Sequence, residues 1–75
     1  MSLHELNRVF GTRIKEIRIS KGLTQEKLAE HLQIHRTFVG QIERAEKNIS
    51  LSTLGKIAEK LEINVAELLK EQQSK

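Results

Sequence analysis

The chain contains no cysteine, proline, tryptophan or tyrosine, and aspartate is missing as well. Without cysteine there is neither a disulfide framework nor thiolate ligation of a metal. Only two aromatic residues are present, both phenylalanine, and the apolar residues recur at helical spacing instead of alternating. The expected class is therefore all-α. No apolar run approaches membrane-spanning length, and the N-terminus lacks a basic stretch followed by an apolar one, so the expectation is a soluble, cytoplasmic chain with no membrane partner. The absence of aspartate removes a Ser–His–Asp set, and no glycine-rich phosphate loop is present. His31 and His35 are four apart. The expected turn falls between them, so they do not share a helical face as a zinc pair does, and no glutamate lies between them. A pair of glutamates working as acid and base needs a cleft, for which short helices around a small core leave little room. The composition points away from an enzyme and implies neither metal nor cofactor.

Seventy-five residues allow one domain, 1–75, with one small core. From about Leu3 to Lys21, Leu6, Val9, Phe10, Ile14 and Ile17 form an amphipathic stripe. Ser2 and Glu5 have the spacing of a capping box, and Gly22 suits the left-handed residue that closes a helix. Gly11 inside that helix costs roughly 1 kcal/mol against alanine, which fits a close helix crossing. Ser50 caps a helix that turns Leu51, Leu54, Ile57, Ala58 and Leu61 inward. Asn64 and Glu67 open a last short helix, followed by a frayed tail from about residue 71. Of the basic residues on the first helix, all but Arg18 are expected to be a solvated face.

Between these flanks, residues 24–44 read TQEKLAEHLQIHRTFVGQIER. Leu28, Ala29, Leu32, Ile34, Val39 and Ile42 face a common core across a tight bend, with Thr24 as one N-cap and His35 as a poorer second one. Five helices in all are expected, with a helix-turn-helix at the centre. Arg36, Thr37, Gly40, Gln41 and Arg44 fall on one side of its second helix, away from Val39 and Ile42. Two arginines, a hydroxyl, a carboxamide and a glycine, with no carboxylate among them, have the chemistry of a surface that meets DNA. The net charge is only +3, but residues 8–47 hold nine Lys/Arg against five Glu, whereas residues 48–75 hold four of each. A positive field concentrated around the bend suits a polyanion.

KGLTQEKLA, the turn, RTFVGQIER and NISLSTLGKIAEKL follow one another in an order that resembles the Cro/C1-type (XRE) helix-turn-helix family, over roughly residues 10–69. HRTFVGQIER followed by NISLSTL is most similar to the small controller proteins of restriction-modification systems. The resemblance implies a five-helix, lambda-repressor-like domain whose second motif helix lies in the major groove while the first bridges the backbone. It implies base contacts from Arg36 and Thr37 in the first turn, with Gln41 one turn on. Arginine can pair with guanine O6 and N7, and threonine suits a base edge or a thymine methyl. Phe38 lies about 100° from the buried side, open either to the groove or to the edge of the core. Phosphate contacts fall to Thr24 and Gln25 at a helix N-terminus, and to Arg44 and Lys47 beyond the recognition helix, with Asn48 either reaching the backbone as well or capping its own turn. The resemblance also turns Glu43 back toward Arg18 as a partly buried ion pair. Two departures stand out. The family often has glycine where this chain has Gln33 and Ala45, so each must tolerate positive φ or shift the turn.

One recognition helix touches few base pairs, so proteins of this type act as two-fold dimers on palindromic operators. Leu61, Ile63, Val65, Leu68 and Leu69 present more apolar surface than so small a domain is expected to bury alone, which marks them as a homodimer interface; the alternative is that they only complete the monomer core. A regulator at its own promoter has RNA polymerase as a further partner, with repression and activation both open. The alternatives are a stand-alone phage or plasmid repressor, an antitoxin, and a helical protein–protein adaptor that does not touch DNA.

Overall fold

Every helix starts at a polar side chain that accepts a backbone N–H which the helix itself cannot satisfy. Ser2 does so for α1 (Leu3–Ser20), Thr24 for α2 (Gln25–Leu32), His35 for α3 (Arg36–Glu43), Ser50 for α4 (Leu51–Leu61) and Asn64 for α5 (Val65–Leu68). The computed structural model describes residues 2–70, and these five helices are the regular structure among them. The expected tail from about residue 71 lies outside the described residues. The capping box on α1 is complete, with Ser2 N donating to Glu5 Oε1 at 2.8 Å and Glu5 N to Ser2 Oγ at 3.1 Å. His35 caps α3 through Nδ1, which accepts from Thr37 N at 3.0 Å.

The first four helices also end alike. Leu23, Ile34, Glu46 and Ile63 each donate their N–H to the carbonyl five residues back, on Arg18, Ala29, Gln41 and Ala58, at 2.8–3.1 Å. This is the Schellman closure, which requires a left-handed residue just before the donor. Those residues are Gly22, Gln33, Ala45 and Glu62, with φ of 70°, 60°, 59° and 59°. Gln33 and Ala45 thus keep the glycine geometry despite their Cβ atoms, and the turn does not shift. The closing residue is apolar and packs on the core at Leu23, Ile34 and Ile63. After α3 it is Glu46, which stays on the surface.

All five helices contribute to the core, with Ile14, Leu28, Val39, Ile42, Leu54 and Leu68 fully buried. Gly11 sets the crossing of α1 on α3: a methyl there would collide with the carbonyl oxygen of Ile42 and lie 2.9 Å from that of Glu43. The α1 helix can approach the α3 backbone this closely only because position 11 has no side chain.

Three expectations about the C-terminal half need correction. Leu51, expected to turn inward from the start of α4, is 77% exposed. Leu61 and Leu68 are buried in the protomer's own core, because α5 folds back against α1 and α4. They are therefore unavailable to a second copy. Glu67 does not complete a capping box with Asn64. Its side chain instead accepts from Arg13 Nη2 at 3.3 Å, and its backbone carbonyl from Arg13 Nε at 3.0 Å. Arg13, expected to be a solvated charge, clamps α5 onto α1.

Candidate nucleic-acid interface

The α2–α3 bend carries polar side chains on both sides of α3, and the two sides are built differently. On the inner side, Arg18 of α1 reaches Glu43 at the end of α3. Its Nε donates to Oε2 at 2.7 Å and its Nη2 to Oε1 at 3.2 Å, while Nη1 donates to the Leu23 carbonyl at 2.8 Å. The side chains are 13% and 3% exposed. Gln25, the first residue of α2, joins the cluster through Nε2, which donates to Glu43 Oε1 at 3.0 Å. One carboxylate thus ties α1, α2 and α3 together. Low dielectric strengthens each bond and makes loss of one partner costly.

Gly40 belongs to this packing. It is buried, and a Cβ there would lie 3.0 Å from Arg44 Nη1 and 3.5 Å from Gln25 Oε1. The missing side chain leaves room for the Gln25 carboxamide and the Arg44 guanidinium, so at this position the backbone faces protein side chains.

On the outer side, Arg36 and Thr37 are exposed on the first turn of α3, and Gln41 is half-buried one turn further on. Phe38 is half-buried and packs against the core. Its ring fills the core edge, with only part of it left facing outward. Thr24 Oγ1 accepts from Lys27 N at 3.0 Å, which leaves its hydroxyl hydrogen to donate elsewhere. The N–H groups of Gln25 and Glu26 at the start of α2 lie outside the helical ladder, as the first donors of any helix do. With Thr24 they form a donor cluster suited to an anion.

Carboxylates from outside the row of Arg36, Thr37, Gly40, Gln41 and Arg44 also stand on this side. Glu26 of α2 reaches across the bend to Arg36, Oε2 to Nη1 at 3.5 Å, with side chains 66% and 67% exposed. Arg44 makes a two-pronged pair with Glu46, Nε to Oε2 at 2.9 Å and Nη2 to Oε1 at 3.2 Å. These hydrogen bonds hold the Glu46 carboxyl below its ordinary value and raise that of Arg44. Glu46 has a sequence signal, since it lies two residues past Arg44 in the closing position of a Schellman turn. Glu26 has none, because its partner is brought near only by the bend.

Lys47 and Asn48 are exposed in the loop between α3 and α4, and Lys47 makes no ion pair among the described residues. Asn48 Oδ1 accepts from Asn7 Nδ2 at 2.7 Å. Asn7 is another residue the sequence reading passed over, although its spacing to Phe10, Gly11 and Ile14 puts it on the buried stripe of α1. At the α4–α5 end, Leu69 is 40% exposed, while Ile63 and Val65 are half-buried. No group of His, Cys, Asp or Glu among the described residues has metal-site geometry, and no helix there is long and apolar enough to cross a membrane.

Two short helices locked at a fixed angle, the second offering arginine, threonine and glutamine outward beside the N-terminus of the first, constitute a helix-turn-helix. The chain belongs to the HTH_3 helix-turn-helix family, whose profile matches residues 14–68. Control protein C.BamHI of Bacillus amyloliquefaciens is 40% identical over 62 residues, which cover 81% of this chain and 76% of that protein. Control protein C.SmaI of Serratia marcescens is 37% identical over 68 residues, covering 91% of this chain and 81% of that protein. Among solved structures, the restriction-modification controller protein C.AhdI of Aeromonas hydrophila matches with a TM-score of 0.79 at 38% identity, over 91% of this chain and 99% of that one.

Proposed function

We propose that this chain is a sequence-specific transcriptional regulator, not an enzyme, that binds a palindromic operator as a homodimer, in the manner of a restriction-modification controller. The observation that carries this reading is the outward row of Arg36, Thr37 and Gln41 on a helix whose opposite side is fixed by the Arg18–Glu43–Gln25 cluster. A groove-reading helix must hold its side chains within a fraction of an ångström of the base edges, and a rigid inner anchor provides that. In this reading Arg36 and Thr37 face base edges and Gln41 follows them into the groove, with the outward edge of Phe38 beside a thymine methyl or flexible step. Thr24, Gln25, Arg44, Lys47 and Asn48 meet phosphates on either side.

The twin copy docks through Ile63, Val65 and Leu69, the apolar residues that the α4–α5 end leaves accessible. The protomer measures 30 × 27 × 20 Å. In this reading the two α3 helices of the dimer enter successive major grooves, about 34 Å apart on one face of the duplex. Similarity to C.BamHI, C.SmaI and C.AhdI supports the controller role. In this reading the chain acts on DNA in a bacterial cytoplasm, with RNA polymerase as the downstream partner. Titration of a labelled duplex pool at several salt concentrations, with sedimentation equilibrium on the free protein, tests the reading. The expected results are a dimer at tens of micromolar and an affinity that falls steeply with salt through counterion release. A monomer at that concentration, or no retention of duplex at low salt, contradicts it.

A further inference from the structure

Counted as whole residues, Asn7 is the one polar residue buried among the described residues, at 3% exposure, and it occupies a core position of α1 in line with Phe10, Gly11 and Ile14. Its amide has a single partner. Nδ2 donates to Asn48 Oδ1 at 2.7 Å, and Oδ1 meets no donor of the protein. With Nδ2 turned to Asn48, the oxygen end of the amide is left without a partner. Burying an unsatisfied amide group costs stability, and asparagine is a poorer helix former than leucine. An aliphatic residue here would bury apolar surface and leave no orphan. A polar residue that breaks the core pattern without a stabilising return is expected where a function is served.

The direction of the hydrogen bond identifies that function. An asparagine amide presents an oxygen on one side and two N–H donors on the other. Because Asn7 donates, the Asn48 oxygen is turned inward and its Nδ2 outward, from an exposed position beside Lys47. The opposite rotamer would show an oxygen lone pair to a phosphate, which repels it. We infer that Asn7 is a positioning residue for DNA binding: from inside the core it sets the amide of Asn48 so that the loop after α3 presents a donor to the phosphate backbone. This rests on the DNA-binding reading above and names the residue through which α1 takes part in it.

The test uses Asn7→Leu, Asn48→Ala and the double variant, each measured for thermal midpoint and for affinity to a duplex selected by the wild-type chain from a random pool. Asn7→Leu is expected to keep or raise the midpoint while weakening binding about three- to tenfold, the size of one net hydrogen bond. The slope of affinity against salt should stay as in the wild type, since no cation is lost. Asn48→Ala should weaken binding by a similar factor, and the double variant should bind no more weakly than Asn48→Ala alone. Wild-type affinity in Asn7→Leu, or losses that multiply in the double variant, overturn the inference. A readout on the wild-type chain covers the case in which Asn7→Leu does not fold. The side-chain amide resonances of Asn48 should shift on adding the duplex while those of Asn7 stay protected from exchange, and an unmoved Asn48 signal overturns it. A wild-type chain that retains no duplex removes the DNA reading itself; one that binds while Asn7→Leu matches it removes only this inference.

Discussion

The same chemical pair, arginine with glutamate, stands on both sides of α3, and the two sides treat it differently. Inside, Arg18–Glu43 is nearly dry and shares its carboxylate with Gln25. Outside, Arg36–Glu26 is two-thirds exposed on each partner, and Arg44–Glu46 is more than half exposed. Coulomb attraction in a low-dielectric site is several times stronger than in water, and a buried charge left alone has nowhere to go. At the surface, water and salt replace a lost partner at little cost, so exposed pairs contribute about 0–1 kcal/mol. The inner pair therefore locks the helix. The outer pairs can be exchanged for another set of acceptors, and guanine or a phosphate is such a set. Residue identity does not make the difference between an anchor and a contact; environment does.

Breaking the inner pair should produce the largest effect. Glu43→Ala leaves Arg18 without its carboxylate and releases Gln25, with an expected loss of about 3–5 kcal/mol by urea denaturation. A loss under about 1 kcal/mol would erase the contrast between the two sides. Next in size, Arg36→Ala should cost roughly 1–3 kcal/mol of discrimination at one base pair of each half-site, with folding stability within about 0.5 kcal/mol of wild type. Lys47→Ala, by contrast, should weaken binding to all duplexes alike and lower the salt slope by about one. Competition binding against a set of single-base variants separates the two, and identical profiles would dissolve the assignment of base and phosphate roles.

A smaller effect is expected from Glu26→Gln. It frees Arg36 from its exposed partner, so affinity for unselected duplex should rise a few-fold with stability almost unchanged. A fall in affinity would mean that Glu26 helps hold Arg36 in its binding pose. The smallest effect concerns pH. The Arg44 hydrogen bonds lower the Glu46 carboxyl in the folded chain. The pair is thus fully formed above the ordinary glutamate value and is lost only as pH falls through the lowered folded one. Carbon-detected titration of the Glu46 carboxyl should give a midpoint below that of an ordinary glutamate, returning to it in Arg44→Ala.

The sequence carried most of the fold because the signals were local. The caps at Ser2, Thr24, His35 and Ser50 lie within three residues of the N–H groups they satisfy. The apolar stripes of α1 to α4 repeat at helical spacing. The Arg18–Glu43 pair lay beyond any local rule and came from resemblance alone. What stayed hidden were contacts that only the closed chain creates. Glu26 meets Arg36 across the bend, Arg13 reaches the backbone of α5 54 residues away, and Asn7 meets Asn48 at a separation of 41 residues. Leu61 and Leu68 were misplaced for the same reason. Counting apolar residues on α4 and α5 does not reveal that α5 folds back and spends two of them on the protomer's own core. Glu62 at φ 59° passed unnoticed because no glycine marked the turn.

Selection of duplexes from a random pool by the wild-type chain, followed by sequencing, tests the proposed role of α3 most directly. The expected product is a pair of inverted half-sites with centres about 10 base pairs apart, whose preferred base at one position relaxes when Arg36→Ala replaces the wild type. Enrichment of a single unrepeated site, no enrichment, or a preference that Arg36→Ala leaves untouched would contradict it.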